Sequence, residues 1–444
     1  MVVHVRTLWF GLYLDDNHHA RPWRLTEVLQ TFAGPFDPLR IEPDYYRPLA
    51  VVTFKLDWMA WGYGTVGYHL TNLALHVVVV VLLARLLFDL TSSLAAAIAG
   101  ASFFAVIPAN VPTVVYISER SDSLVAIFVL IASRSALRYA ARPGRGHLMI
   151  MLGSFVGALL SKEIGLSLAG LVCVVWLFAP VIRREPSVVS TSIVSSETDR
   201  ASPVATIRAQ IAKRSAWLPL VIGLSGLAVG YLAYRSWVLP GGHATTKYGS
   251  SGPIQSWVSA VLWTLKGVAW ELSARAFPVL LVALSMGLGM AYRSRGQDRS
   301  ATLGLFLLGG LWILAACLPL APLGRVEPRL LYVSQIGVAL LISSCMCAVS
   351  AWWRERRRAM PLRLGFGGMA VALLGLTLVS VIEAQNEFRP GSLKMLGGDC
   401  RILFDPNAER YPEVRIGETI ERLRKAGASD DPARRKLCAD LIGP

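Results

Sequence analysis

The chain predicts an all-α protein that threads a bilayer repeatedly, and three observations carry that expectation. Of its 444 residues, 54% are hydrophobic and only 16% charged, with a mean hydropathy of +0.50, more apolar surface than a soluble domain can cover. Apolar runs long enough to cross hydrocarbon as helices, roughly 17 to 25 residues each, recur along most of the length. They lack the ~10-residue alternation of a membrane β-barrel. The formal net charge of +15 would suit a nucleic-acid binder, but the basic residues gather in a few connections between apolar runs, where membrane topology accounts for them.

Taken in order, residues 1–14 read as the remnant of a first transmembrane helix. VVHVRTLWFGLYL is apolar but only ~13 residues long, too short to span, and His4 and Arg6 interrupt it. No signal peptide is recognisable. Residues 15–65 form a first exoplasmic loop with an acidic pair and aromatic, interfacial helices. Residues 66–182 read as a five-span block, with spans over Val66 to Phe88, Leu94 to Val106, Leu124 to Tyr139, His147 to Leu160 and Ile164 to Val181. A Ser-, Thr- and Val-rich stretch, 183–215, reads as a flexible cytoplasmic linker. A second block, 216–382, holds spans over Trp217 to Leu239, Phe277 to Tyr292, Ala301 to Leu320, Leu330 to Trp352 and Leu364 to Ile382, with an exoplasmic loop over 240–276. In that loop residues 256–273, with Trp257, Trp263 and Trp270, read as an amphipathic helix lying in the interface. Residues 383–444 make a short exoplasmic tail.

Sidedness follows from charge. The connections around Arg138, Arg142 and Arg145, and those over 183–214, 293–299 and 354–363, are basic and therefore cytoplasmic. Alternation from these anchors puts every acidic or mixed-charge cluster on the opposite face. Only eight of the 44 basic residues are Lys, a usage compatible with a GC-rich bacterial genome, hence a bacterial cytoplasmic membrane. Cys173, Cys317, Cys345 and Cys347 fall in apolar runs, where a thiol acts as a small hydrophobe. Cys400 and Cys438, in the tail, pair if it faces an oxidising compartment and stay free thiols otherwise.

Ionisable residues at membrane depth are costly and face a bundle interior, so each is a functional candidate. Asp15 and Asp16, with His18 beside them in LYLDDNHHA, either supply a general base, hold a cation between them, or simply cap the next helix from a solvated loop. Arg47 in DYYRPL suits a phosphate or sugar by its planar fork, or an aromatic anchor at the interface. His69, Asn72 and His76 stand at i, i+3 and i+7 and share one helix face, either for a ligand or for hydrogen bonds between helices. Arg120 and Asp122 in SERSD start a span, and Lys162 and Glu163 in SKE sit between two spans with almost no loop. Lys162 there grips a lipid phosphate or forms a local ion pair. Arg325, Glu327 and Arg329 in GRVEPRLLY, with Lys162 on the same side, would make a phosphate site of charge-assisted hydrogen bonds.

The ordered series LDDNHH, YYRPLAVVTFKLDWMAWG, GYHLTNLALH, FFAVIPANVPTVVYISERSDSL, LLSKEIG and EPRLLYVSQIGVALL resembles the transmembrane, tetratricopeptide-repeat-bearing O-mannosyltransferases of the GT-C fold and their bacterial relatives. The likeness runs from Leu12 to about Leu341. It implies an inverting glycosyltransferase that takes a sugar, mannose in the family, from a polyprenyl-phosphate carrier and passes it to an exoplasmic hydroxyl of a protein or glycan acceptor. By position Asp15 is the implied catalytic base, with Asp16 and His18 beside it. Lys162, Arg329 and, more loosely, Arg325 stabilise the leaving phosphate. Arg47, His69, Arg120, Asp122 and Glu163 support the donor pocket. No metal ligand set is implied, although some members of the wider fold hold a divalent cation on such carboxylates. Two departures stand out: the tetratricopeptide array is absent or reduced to the tail, and the family's ERLLY reads EPRLLY, with Pro328 before Arg329. A transporter of a polyprenyl-linked or amphiphilic substrate is the competing class. It should show inverted repeats and broken helices at the midplane, and no internal symmetry is visible.

Overall fold

Inside hydrocarbon no backbone group finds water, so each crossing segment must satisfy its own hydrogen bonds as a helix, whatever its β-branched content. The computed structural model describes residues 2–12, 16–36, 45–183, 203–239, 252–266, 276–293, 297–323, 328–355 and 375–386, and every regular element among them is helical. The main helices are α1 (Pro48–Trp61), α2 (Thr65–Thr91), α3 (Leu94–Ala105), α4 (Arg120–Ala141), α5 (Arg145–Ser161), α6 (Ser167–Arg183), α7 (Pro203–Ala212), α8 (Arg214–Val238), α9 (Pro253–Lys266), α10 (Ala276–Arg293), α11 (Gln297–Cys317) and α12 (Tyr332–Glu355), followed by α13 over residues 375–386. The protein is thus a polytopic helical membrane protein.

Among the described residues six helices are long and apolar enough to cross a bilayer: Thr65–Thr91, Arg120–Ala141, Glu163–Arg183, Arg214–Val238, Arg299–Pro322 and Tyr332–Trp353. Nine of the ten predicted spans fall on described helices, and the tenth is described only from residue 375, but not all are of spanning length. α5 has 17 residues, about 26 Å of rise against ~30 Å of hydrocarbon. α10 has 18 residues, Ala276–Arg293. The run over 94–106 continues into a second helical piece, Pro108–Val115, bent from the first by 57°, and the two count as a seventh span only if taken together. Pro108, directly after the break, makes it, because proline removes a backbone donor and clashes with the preceding turn. Residues 364–374 of the last predicted span lie outside the described residues, as do Cys400, Cys438 and the rest of the tail.

One large apolar core runs through α2, α4, α6, α11 and α12. One close seam joins α11 to α12, where a Cβ on Gly309 would sit 3.0 Å from the Gly337 carbonyl and one on Gly337 2.8 Å from the Gly309 carbonyl. Small residues of this kind let membrane helices approach through dispersion alone. A second cluster, Leu12, Trp23, Phe36, Phe54, Tyr68 and Ile117 among its members, caps one end of the bundle with the first loop and α1. The N-terminal segment ties to α13: Arg6 donates to the carbonyl of Ile382 and to Asn386 Oδ1, both at 2.9 Å.

Two stretches differ from expectation. Within the predicted flexible linker, Pro203–Ala212 is a helix docked through Gln210, whose Nε2 reaches the Trp176 carbonyl at 3.4 Å. Pro at the first helical position favours a helix start there. The predicted interfacial helix is described over Pro253–Lys266, and it is bound to the bundle: Thr264 Oγ1 and Ser334 Oγ are 2.8 Å apart, and Gln335 Nε2 donates to the Thr264 carbonyl at 3.0 Å. Trp263 stays exposed at 44%, and Trp270 lies outside the described residues.

Candidate functional site

The capped end of the bundle gathers the charged residues of the motifs. Asp16 opens a short helix, Asp16–His19, and is fully buried. Its Oδ1 accepts the backbone N–H of Ser118 at 2.8 Å, which pins the acidic pair's second member to the turn that starts α4. Around it the loop is fixed by stacking and backbone acceptors: His19 lies on Phe54 with ring centroids 4.5 Å apart, Trp23 Nε1 donates to the His19 carbonyl at 2.8 Å, and Lys55 Nζ donates to the Trp23 carbonyl at 2.7 Å.

The first turn of α4 presents Arg120 and Asp122, with Glu119 just before it. Arg120 is wholly buried and reaches Asp57 of α1 at 2.5 Å, the Ile117 carbonyl at 3.2 Å and the Tyr68 carbonyl at 3.4 Å, with Phe54 beneath its guanidinium at 4.7 Å. A planar fork with several donors suits this arrangement in a way a point charge does not. Asp57 in turn accepts from Thr71 Oγ1 of α2 at 2.7 Å. One charge pair therefore bolts α1, α2 and α4 together.

The SKE turn closes the site from the other side. Lys162 caps α5 in an extended conformation, φ −165°, ψ 152°, and in an extended backbone successive side chains point to opposite sides. Lys162 turns inward, its Nζ 2.7 Å from Glu119 Oε2 and 2.6 Å from Asp122 Oδ2. Glu163 turns toward the first loop, where it accepts from Arg47 at 3.3 Å and from the Tyr46 N–H at 3.3 Å. The 3₁₀ turn that follows, Glu163–Leu166, folds so tightly onto α5 that a Cβ on Gly165 would meet the Ala158 carbonyl. Arg47 also stacks on Tyr45 at 4.2 Å. Burial opposes its charge, but the surrounding carboxylates, Glu163 first, raise its pKa on balance. Burial, with Tyr234 adding, pushes the Tyr46 hydroxyl up to about 12. Arg47, Arg120 and Lys162, with Arg235 of α8 also acting on Glu163, face five carboxylates, Asp16, Asp57, Glu119, Asp122 and Glu163.

The third and fifth motifs meet beside this cluster. His76 Nδ1 and the Tyr332 hydroxyl are 2.6 Å apart, His76 Nε2 lies 3.4 Å from the Ala105 carbonyl, and Tyr332 packs edge-on against Phe104 with Ser123 and Asp122 close by. Asn72 Nδ2 donates to the Tyr116 carbonyl at 2.6 Å. His69 is buried with both ring nitrogens short of a well-formed hydrogen bond, facing the carbonyls of Phe10, Gly11 and Val115.

Of the residues singled out in the sequence, Asp16, Arg47, His69, Arg120, Asp122, Lys162 and Glu163 are brought to this one end. Asp15 and Arg325 lie outside the described residues. His18 is in the helix Asp16–His19 and Arg329 in the 3₁₀ turn Pro328–Leu331, with their side chains outside the description. Between a phosphate grip and an ion pair, Lys162 displays the ion pair, though with Glu119 and Asp122 rather than its neighbour Glu163. Asp57 and Glu119 were not singled out. Their signal was present, since each is a carboxylate inside a motif that also carries a buried cation. Among the described residues no group of three or more His, Cys, Asp or Glu side chains is arranged to hold a metal ion.

No family model and no solved structure matches the chain, but curated proteins do. Protein O-mannosyl-transferase Tmtc1 of Drosophila melanogaster is 30% identical over 150 residues, 34% of this chain and 18% of that protein. Tmtc3 of the same fly is 29% identical over 204 residues, 39% of this chain and 22% of that protein, and mouse TMTC3 is 34% identical over 172 residues, 37% and 18%. Each match spans about a fifth of the relative's own length. Over a little more than a third of its length, then, the chain is similar to the protein O-mannosyl-transferases of the TMTC group, the glycosyltransferases that its ordered motifs resemble.

Proposed function

We propose that this protein is a membrane glycosyltransferase that moves a sugar, mannose by the names of its relatives, from a polyprenyl-phosphate donor to a Ser or Thr hydroxyl of a protein on the exoplasmic face of a bacterial cytoplasmic membrane. One observation supports this reading above the others. Residues from four separate motifs, Asp16, Arg47, Arg120 with Asp122, and Lys162 with Glu163, converge on one end of the bundle through short polar contacts. A transporter would instead place such groups at mid-depth.

In the inverting reaction the acceptor hydroxyl gives its proton to Asp15 as its oxygen bonds to the anomeric carbon. The bond from that carbon to the phosphate oxygen breaks, and the polyprenyl phosphate leaves with the electron pair. Asp16, held by Ser118, fixes the loop that carries the base. The phosphate's growing charge is met by preorganised cations, with Arg329 and Arg325 in that role and Lys162 drawn from its carboxylates as the donor enters. No step in this scheme requires a metal; a divalent cation on the acidic pair is the variant that chelation distinguishes.

The test is transfer from radiolabelled polyprenyl-phosphate mannose in membranes carrying the protein. Label should enter protein, Asp15→Asn should lower it by about 10²-fold or more with the protein level unchanged, and chelator should leave it intact. Wild-type transfer by Asp15→Asn would overturn the base assignment. Absence of transfer from mannose, glucose and arabinose donors alike would turn the reading toward transport.

A further inference from the structure

A chain of hydrogen bonds runs from the N-terminal segment to the charged end, and donor and acceptor chemistry fixes its direction. Arg6 Nε can only donate, so the Gln385 side-chain oxygen that it meets at 2.5 Å accepts. The nitrogen of that amide therefore faces His4 and donates to Nδ1 at 3.0 Å. The proton of the His4 ring is then on Nε2, which donates to the Ala105 carbonyl at 3.0 Å. Pro108, three positions on, has no N–H to offer this carbonyl, and the helix turns away there. His76 Nε2 faces the same carbonyl at 3.4 Å and carries its proton on that side. A charged ring at this depth is costly, so Nδ1 of the neutral ring is left to accept from the Tyr332 hydroxyl at 2.6 Å. Tyr332 has Ser123 and Asp122 of α4 beside it, and Asp122 is the partner of Lys162.

We infer that His76 is a positioning residue of the transfer site: by holding the Tyr332 hydroxyl it sets the turn Pro328–Leu331, and with it Arg329, against the charged end. In the transfer reaction proposed above, on which this role rests, Arg329 meets the leaving phosphate. Tyr332 directly follows that turn, and the turn packs on Pro108–Asn110, just beyond the break that frees the Ala105 carbonyl. The rings themselves need no polar atom here. Phe104 lies edge-on to Tyr332 at 5.2 Å and stacked on His76 at 5.9 Å, and phenylalanine at 76 and 332 would keep both contacts. Packed rings can still slide, whereas a hydrogen bond of 2.6 Å fixes the hydroxyl in distance and in direction. Such definition matters most where charge develops in the transition state, because cations help there only if they are already in place.

Steady-state transfer from polyprenyl-phosphate mannose by the full chain, with melting temperatures measured alongside, tests this in His76→Phe, Tyr332→Phe, the double variant of the two, and His76→Asn. Each single phenylalanine variant should lower kcat by about ten-fold or more and leave the donor KM little changed. The double variant should be no slower than either single one, because both remove the same bond. It should also melt close to the wild type, since no polar atom is left unmet between the rings, and yet stay slow. His76→Asn, whose side-chain oxygen stands where Nδ1 stands, should recover most of the rate. Wild-type kcat in Tyr332→Phe would overturn the role of His76 while leaving the transfer reading intact. Rates that simply follow melting temperature, so that the double variant regains both, would reduce the bond to a structural one. Absence of transfer by the wild type would remove the transfer reading and this role together.

Discussion

The two ends of this bundle hold ion pairs of opposite character. At the capped end Lys162, Glu119 and Asp122 have side chains 3%, 8% and 0% exposed, and Arg120 with Asp57 is as deeply enclosed. At the other end Arg134 of α4 and Asp89 of α2 meet at 2.8 Å with 21% and 30% exposure, next to connections rich in Arg. A buried pair repays its desolvation only when geometry and extra hydrogen bonds are good, so the capped end is costly to build and intolerant of change. The open pair lies in a screened setting and is worth little. The expensive arrangement sits where the motifs converge, which fits a framework that must hold an acidic loop still while substrates exchange.

The comparison breaks first at Lys162. Lys162→Met leaves Glu119 and Asp122 buried and facing each other, and should destabilise the protein by about 3–5 kcal/mol, read as a large drop in the melting temperature in detergent. Adding Glu119→Gln and Asp122→Asn should restore most of it. A single variant that melts like the wild type would show that the triad is not buried. The triple variant also separates framework from substrate: recovered stability with donor KM still raised would assign Lys162 to the donor. Arg120→Lys comes next, since an ammonium replaces the fork but cannot meet Asp57 and two carbonyls at once. About 2 kcal/mol should be lost, with Asp57→Asn adding little further.

How far the sequence could be read follows from the same contrast. Arg120, Asp122, Lys162 and Glu163 were visible because ionisable groups in apolar surroundings are rare, and the apolar runs showed the helices. What stayed hidden was pairing. Arg120 finds Asp57 across 63 positions of chain, and Lys162 and Glu163, adjacent in sequence, serve different partners because one extended residue reverses their directions. Hydropathy also misses a change of axis, so residues 94–115 read as one short span and a loop although the helical path continues past a bend at Pro108. The helix Pro203–Ala212 was masked by the Ser and Thr residues before it.

Arg47 lies between the extremes, with side-chain exposures of 12% and 26% across its pair with Glu163. Arg47→Ala should cost about 1 kcal/mol of stability, yet raise donor KM several-fold, because Arg47 also sits on Tyr45 at the open side of the cluster. A loss of stability as large as that of Lys162→Met, with KM unchanged, would place Arg47 with the framework instead.

The smallest effect belongs to Arg134. Arg134→Gln removes one partner of a partly exposed pair, and the remaining Asp89, in the last turn of α2, keeps access to water. The cost should stay below about 1 kcal/mol and shrink further in high salt, since screening weakens such pairs. Transfer activity should be unchanged, because nothing in the pair reaches the cluster at the far end of α4. A loss of activity without a loss of stability would mean that the open end communicates with the capped end through the tilt of α2 against α4. The rigidity of the capped end would then depend on both ends of the bundle, and not on its own ion pairs.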